Sequence, residues 1–233
     1  ADKLYPLYIA LIKRVLSTDY IQVDETTHKI TDRRGSARQA YIWAVRHARP
    51  PSMGIFFHYD KGSRSQEVVL KLLKDYQGAL QTDGYAAYSI YENKQGVLPL
   101  GCMAHVRRKF ETALQTTPEA QKALDYIVLL YSLEANLKDE NASHERIRKK
   151  REEQAYPILQ EMERWMKQQY NECTPKSPLG KAISYAFGMW PRICRYCKQG
   201  YYEIDNNAIE RAIRPIAVGR KNYLFSGNNS GAE

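Results

Sequence analysis

The spacing of apolar side chains divides the chain into stretches of different period. In YPLYIALIKRVL, Tyr5 to Leu16, they recur at helical intervals, which predicts a leading helix within residues 1–19. From Tyr20 the pattern alternates. Ile21 and Val23 interleave with Gln22 and Asp24, so one face of a strand is apolar and the other polar. QAYIWAVRH (Gln39 to His47) and MGIFFHY (Met53 to Tyr59) are rich in β-branched and aromatic residues, and the turn-like DRRGS and RPPS separate the runs. Connections this short predict an antiparallel meander. SQEVVLKLLKDYQG returns to helical spacing, with Ser65 as its start and Gly78 as its stop. Two more strands are expected in GALQTD and VLPLGCMAH, with a short helical piece between them.

Beyond Val106 the β pattern stops. As far as about Gln199 the chain consists of long amphipathic stretches such as ALDYIVLLYSLEANL and PILQEMERWMKQQY. The last segment, IDNNAIERAIRP, predicts a helix with Asp205 as N-cap and with Ile209, Ala212, Ile213 and Ile216 on its buried side. Pro215 is expected to end or kink it. Together these elements predict an α/β fold: a mixed five-stranded sheet flanked by helices over residues 20–105, an all-helical segment over 106–200, and a closing helix within 201–233. No internal repeat is present.

Composition narrows the class. A chain of 233 residues is long enough to bury a proper core, and no apolar run approaches the roughly 20 residues that span a bilayer, so no membrane partner is expected. The net charge of +9 favours a polyanionic partner, because clustered Lys and Arg attract phosphate and release its counterions. The four cysteines, without a secretory signal, fit reduced thiols in a cytoplasm. The sequence begins without Met and stops within the polar run SGNNSGAE, so it is expected to be a piece of a longer protein.

The candidate chemistry lies in the acids. IQVDETTHKI (Ile21 to Ile30) and LQTDGYAAY (Leu80 to Tyr88) share a Q-x-D pattern, which puts Gln22 and Asp24 on one strand face and Gln81 and Asp83 on one face of another. If the two strands are parallel neighbours joined by a helical crossover, their carboxylates come together. Such a pair repels itself and raises both pKa values unless a cation neutralises it, and hard oxygen ligands select Mg²⁺ or Mn²⁺. Gly84 would let a substrate backbone approach, and Tyr85 and Tyr88 would line a nucleic-acid groove. The plainer alternative is that Asp83-Gly84 only makes a turn.

Four ordered blocks, QVDETTHKI, LQTDGYAAY, GCMAHVRRKF and IDNNAIERAIRPIAVGRKNYLFSG, resemble the motifs of the insertion sequence 66 family of bacterial transposases, from Gln22 to Gly227. The resemblance implies a DDE transposase with a ribonuclease H-like fold, in which the helical segment is an insertion before the final catalytic helix. It implies that Asp24, Asp83 and Glu210 are the catalytic residues and the ligands of two Mg²⁺ or Mn²⁺ ions. The implied partners are transposon-end and target DNA, with a homodimer in the full-length protein in a bacterial cytoplasm. The implied reaction is phosphodiester hydrolysis at the transposon ends, followed by attack of the freed 3′-hydroxyl on target DNA. The alternatives are a nuclease of the same fold that never joins strands, and a non-catalytic remnant kept for DNA binding.

Other residues carry narrower expectations. Glu210 and Arg214 are also spaced as a surface ion pair, and Glu203 and Asp205 rival Glu210 as third ligand. Cys102 and His105 resemble a C-x-x-H signature that lies near the catalytic centre in related transposases. With Cys194 and Cys197 they would also make a zinc set, the lesser reading. Tyr85, Arg107, Arg108, Lys109, Arg211, Arg214, Arg220 and Lys221 are the candidates for DNA contact. RIRKKR (Arg146 to Arg151) reads as a solvated face, and neither Glu25 nor His28 is assigned a metal.

Overall fold

The alternating stretches form strands β1 (Tyr20–Thr31), β2 (Ala37–His47), β3 (Ile55–Tyr59), β4 (Gly78–Gln81) and β5 (Val97–Leu100), in the sheet order β3-β2-β1-β4-β5. β1, β2 and β3 run antiparallel, whereas β4 pairs with β1 in parallel, so the sheet is mixed. The computed structural model describes residues 2–31, 36–52, 54–223, 226–229 and 231–232. The helices are α1 (Tyr5–Leu16), α2 (Gln66–Leu72), α3 (Met103–Leu114), α4 (Gln121–Asp139), α5 (His144–Lys150), α6 (Tyr156–Glu172), α7 (Pro178–Cys194) and α8 (Asn207–Tyr223). None of them is long and apolar enough to cross a membrane. The chain divides into two compact units, Ala1–Pro99 with Asn206–Glu233, and Leu100–Asp205.

In the first unit the two sheet faces have different covers. Ile21, Val23, Trp43, Val45 and Phe56 point to one face, where Val15 of α1 and Val68 and Val69 of α2 pack with Tyr88 and Tyr91. On the other face Ala44, the cross-strand partner of Asp24, packs with Ile209 and Ile213 of α8 and with Ile55 and Phe57 of β3. This second face also carries a polar layer. Gln22 and Gln81 are register partners, and both are fully buried. Gln22 Nε2 donates to Gln81 Oε1 at 2.8 Å, Tyr20 O–H donates to the same oxygen at 2.5 Å, and Arg46 Nη1 donates to Gln22 Oε1 at 2.7 Å. Buried amides need these partners, so the layer fixes β1 against β4 and β2.

The second unit is helical. α3 packs on α4 and α7, and α6 packs on α4 and α7, around Phe110, Ile127, Leu130, Met162 and Ile183. A π-helical turn, Arg151–Ala155, joins α5 to α6 and turns Arg151 inward. Its guanidinium makes a two-pronged pair with Glu134 at 2.8 and 2.6 Å, donates to the Gln199 carbonyl at 2.7 Å, and lies 4.7 Å from the Tyr196 ring centre.

Several local expectations need correction. Arg151 is buried rather than part of a solvated face, while Arg146, Arg148, Lys149 and Lys150 do form surface ion pairs. Gly78 does not cap α2, which ends at Leu72; it opens β4 at φ 130, where an added Cβ would come within 2.6 Å of the Asp19 carbonyl oxygen. VLPLGCMAH is strand only as far as Leu100, and from Met103 it is helix α3. α8 continues through Pro215 to Tyr223. Pro215 and Arg211, whose carbonyl loses its helical donor there, are both exposed residues.

Two stability predictions follow from the buried polar groups. Gln81→Leu strips Tyr20 and Gln22 of their shared acceptor and should cost about 2–4 kcal/mol in urea unfolding. Arg151→Ala leaves Glu134 without its cation and should cost about 3–5 kcal/mol, read on the helical unit by circular dichroism.

Candidate active site

The parallel pairing of β1 with β4 covers only Tyr20 to Gln22, and beyond it the two strands part. Asp24 lies two residues past Gln22, and Asp83 lies two residues past Gln81, so the common register carries both acids to the same opening. Asp83 stands just beyond the end of β4 in a turn: its Oδ1 accepts the Tyr85 N–H at 2.9 Å. The plain turn is therefore real, and it also orients the carboxylate. Asp24 Oδ1 accepts the Glu25 N–H at 2.8 Å. The second oxygen of each carboxylate has no hydrogen-bond donor among the described residues.

Glu210 comes from the first turns of α8. That helix is held to β1 by Asn206, whose Nδ2 reaches the Val23 carbonyl at 3.5 Å, and by the packing of Ile209 and Ile213 on Ala44. Asn206 immediately precedes the helix, so Asp205 is not its cap; Asp205 accepts a hydrogen bond from Tyr131 O–H at 2.7 Å in the helical unit. Ala212 and Ile216 are half-buried rather than core.

Asp83 and Glu210 are both close enough to Asp24 to act on its charge. Burial first, then the neighbouring Glu25, and then Asp83 and Glu210 push the Asp24 carboxyl up from 3.8 to about 7, against the opposing hydrogen bond from the Glu25 N–H. Carboxylates from two other segments thus act on Asp24, and Asp24 and Asp83 each keep an oxygen without a donor among the described residues. Carboxylate oxygens in such surroundings are of the type that could hold a hard divalent cation.

Glu25 behaves differently although it adjoins Asp24. It points to the opposite face, and its side chain is 1% exposed. Oε1 accepts from Arg64 Nε at 2.7 Å, and Oε2 accepts from Tyr88 O–H at 2.7 Å. Burial pushes its carboxyl up, and these two hydrogen bonds oppose the shift. Tyr88 is itself buried and does not line a groove. Arg64 was not among the residues singled out in the sequence. The available signal was Glu25, a charge in the phase of Ile21 and Val23, which requires a buried partner.

The remaining candidates are distributed as follows. Tyr85 lies under the Arg64 guanidinium, 3.6 Å from ring centre to Cζ. Arg211 and Arg214 are exposed on α8. Arg220 donates to Thr26 Oγ1 at 3.1 Å and to the Thr27 carbonyl. The Lys221 side chain lies outside the described residues. In the helical unit Cys102 precedes α3 and His105 is in its first turn, Arg107 pairs with Glu111 at 2.8 Å, Arg108 lies 3.4 Å from His105 Nε2, and Lys109 lies over the Tyr185 ring. Cys194 and Cys197 line a cavity of about 570 Å³ with Arg148, Tyr156 and Lys198, and burial pushes their thiols up to about 11 and about 12.

Fold and site together define an α/β protein with an acidic cluster where two parallel strands separate. The chain belongs to the IS66 family of transposases, whose family model matches residues 1–233. It is 28% identical over 246 residues to the uncharacterized protein y4jD of Sinorhizobium fredii (strain NBRC 101917 / NGR234), covering 99% of this chain and 47% of that protein. It is 31% identical over 238 residues to the uncharacterized protein y4qI of the same strain, covering 95% of this chain and 43% of that protein. The chain therefore spans about half the length of the curated relatives it matches.

The acid cluster has a stability signature. The raised Asp24 pKa means that ionising this group destabilises the fold as pH rises from 3.8 to about 7. In chelator-treated buffer Asp24→Asn should raise Tm at pH 8, with about 2–4 °C for each kcal/mol relieved, and leave it nearly unchanged at pH 4. Differential scanning calorimetry at the two pH values checks this.

Proposed function

We propose that this chain is the catalytic part of a DNA transposase and that Asp24, Asp83 and Glu210 are its catalytic acids. On this reading the sheet is ribonuclease H-like, and Leu100–Asp205 is an insertion ahead of the helix that carries Glu210. The observation that carries the reading is that Asp83, from the turn after β4, and Glu210, from α8, both act on Asp24 of β1, whose register partner strand leads to Asp83. Membership of the IS66 transposase family supports it independently.

The donor set fits a pair of Mg²⁺ or Mn²⁺ ions: all oxygen, net negative, partly desolvated at Asp24, and with one oxygen each of Asp24 and Asp83 without a donor among the described residues. Bound there, such ions would supply Lewis-acid stabilisation of the charge on the attacking and leaving oxygens at phosphorus. Asp24 and Asp83 are held rigidly, by strand register and by the Tyr85 N–H, so little reorganisation is needed when charge develops. In the first reaction a water oxygen bonds to phosphorus at the transposon end as the bond to the 3′ oxygen breaks, freeing a 3′-hydroxyl. In the second that hydroxyl attacks a target phosphate, and a target 3′ oxygen leaves. Exposed Arg211 and Arg214 on α8, in the same unit as the acids, are suited to phosphate contacts. Joining two ends to one target calls for two such sites, hence a homodimer of the longer protein.

Asp83→Asn preserves the oxygen that accepts the Tyr85 N–H while removing the charge. It should lower Mg²⁺-dependent cleavage of transposon-end DNA at least about 100-fold and leave Tm and DNA affinity, followed by fluorescence anisotropy, nearly unchanged. Wild-type cleavage by this variant would overturn the assignment. Strand transfer is checked separately with pre-cleaved ends.

A further inference from the structure

Arg64 lies in the turn between β3 and α2 and touches neither Asp24 nor Asp83, yet it grips the neighbours of both. Its Nε donates to one oxygen of Glu25 at 2.7 Å, its Nη2 lies 2.5 Å from the same oxygen in an ion pair, and Glu25 is joined by a peptide bond to Asp24. The flat face of the guanidinium covers the Tyr85 ring at 3.6 Å, with Tyr41 at 5.3 Å. Its backbone carbonyl accepts the Tyr85 hydroxyl at 3.1 Å, and the Tyr85 N–H holds Asp83 Oδ1 at 2.9 Å. Tyr88 closes the cluster, donating to the other Glu25 oxygen and standing edge-on to Tyr85 and Trp43.

We propose that Arg64 is a positioning residue of the acid site. It sets the spacing of Asp24 and Asp83 through Glu25 and Tyr85, and thereby the affinity of the site for a divalent cation. The inference rests on the proposed reading of those acids as cation ligands. The strand register alone does not fix Asp83, because pairing with β1 stops at Gln81 and the next residues form a turn. The clamp supplies the missing constraint: one rigid fork bonds to β1 while its face and its carbonyl hold the turn. Lysine cannot copy this, since a single ammonium lacks both the second in-plane donor and the stacking face. Residues that orient ligands without binding the ion typically change affinity by about 10–100-fold.

The test is calorimetric titration of Mn²⁺ alone into the chain, with Tm recorded for each variant. Asp83→Asn should abolish the binding heat. Arg64→Lys should weaken Mn²⁺ affinity about tenfold with a small change in Tm, and Tyr85→Phe, which keeps ring and N–H but loses the hydroxyl bond, should weaken it about two- to threefold. Should Arg64→Ala fail to fold, these two milder variants still decide. Wild-type Mn²⁺ affinity in Arg64→Lys, alongside loss of binding in Asp83→Asn, would overturn the role of Arg64 and leave the acids' role standing. Wild-type affinity in Asp83→Asn would overturn both.

Discussion

The site depends on one buried hydrogen bond between two side-chain amides. Gln22 and Gln81 are the last register partners of β1 and β4 and are closed off from solvent, so a slip of one residue would leave both without partners. Apolar side chains at these positions would tolerate such a slip far better. Arg46 extends the same polar layer to β2, which makes the alignment a property of three strands. Asp24 and Asp83 inherit their common level from it, because each follows its glutamine by two residues.

On the proposed reading, Asp24 and Glu25 show how one strand separates a reactive acid from a structural one. Both are partly or wholly desolvated and both are pushed up by burial. Glu25 falls in the phase of the apolar core and is satisfied by Arg64 and Tyr88, so its charge is matched inside the protein. Asp24 falls in the other phase and has acids for neighbours in Asp83 and Glu210. Retaining that repulsion is uneconomical for a fold and sensible for a cation site. Adjacent residues thus differ in role because a strand reverses direction at each step.

Periodicity carried much of the architecture. The bounds of α1 and the antiparallel meander follow from helical spacing, alternation and short turns, the parallel pairing of the two Q-x-D strands, posed only as a condition, is met, and the four motif blocks pointed to the family that matches the whole chain. What escaped were features decided by tertiary contact. Gly78 looks like a helix stop, but its positive φ serves the close approach of the Asp19 carbonyl. The apolar VLPLGCMAH reads as a single strand, although strand gives way to helix within it, and short apolar runs do not distinguish the two. Arg151 sits in a basic run whose other members are surface charges, and only a π-helical turn brings it inside. Tyr88 looked like a groove residue because nothing local announces that its hydroxyl meets Glu25 across the fold. The shared register of the two Q-x-D segments was legible as a pattern; the cluster that includes Arg64 was not, since it joins segments 39 and 21 residues apart through a loop side chain.

The unbroken course of α8 bears on which cations remain for DNA. Had Pro215 ended the helix, Arg220 would not sit where it does, roughly 21 Å along the axis from Asn206 at 1.5 Å per residue. As built, α8 is tied to β1 near both ends, by Asn206 at Val23 and by Arg220 at Thr26 and Thr27, with Ile209 and Ile213 seated on the sheet between. A helix fixed at two points and along its buried face resists sliding along the strand. The same arrangement commits Arg220 to the sheet. On the proposed reading, phosphate contact from the described DNA-contact candidates of α8 then falls to Arg211 and Arg214, which are exposed.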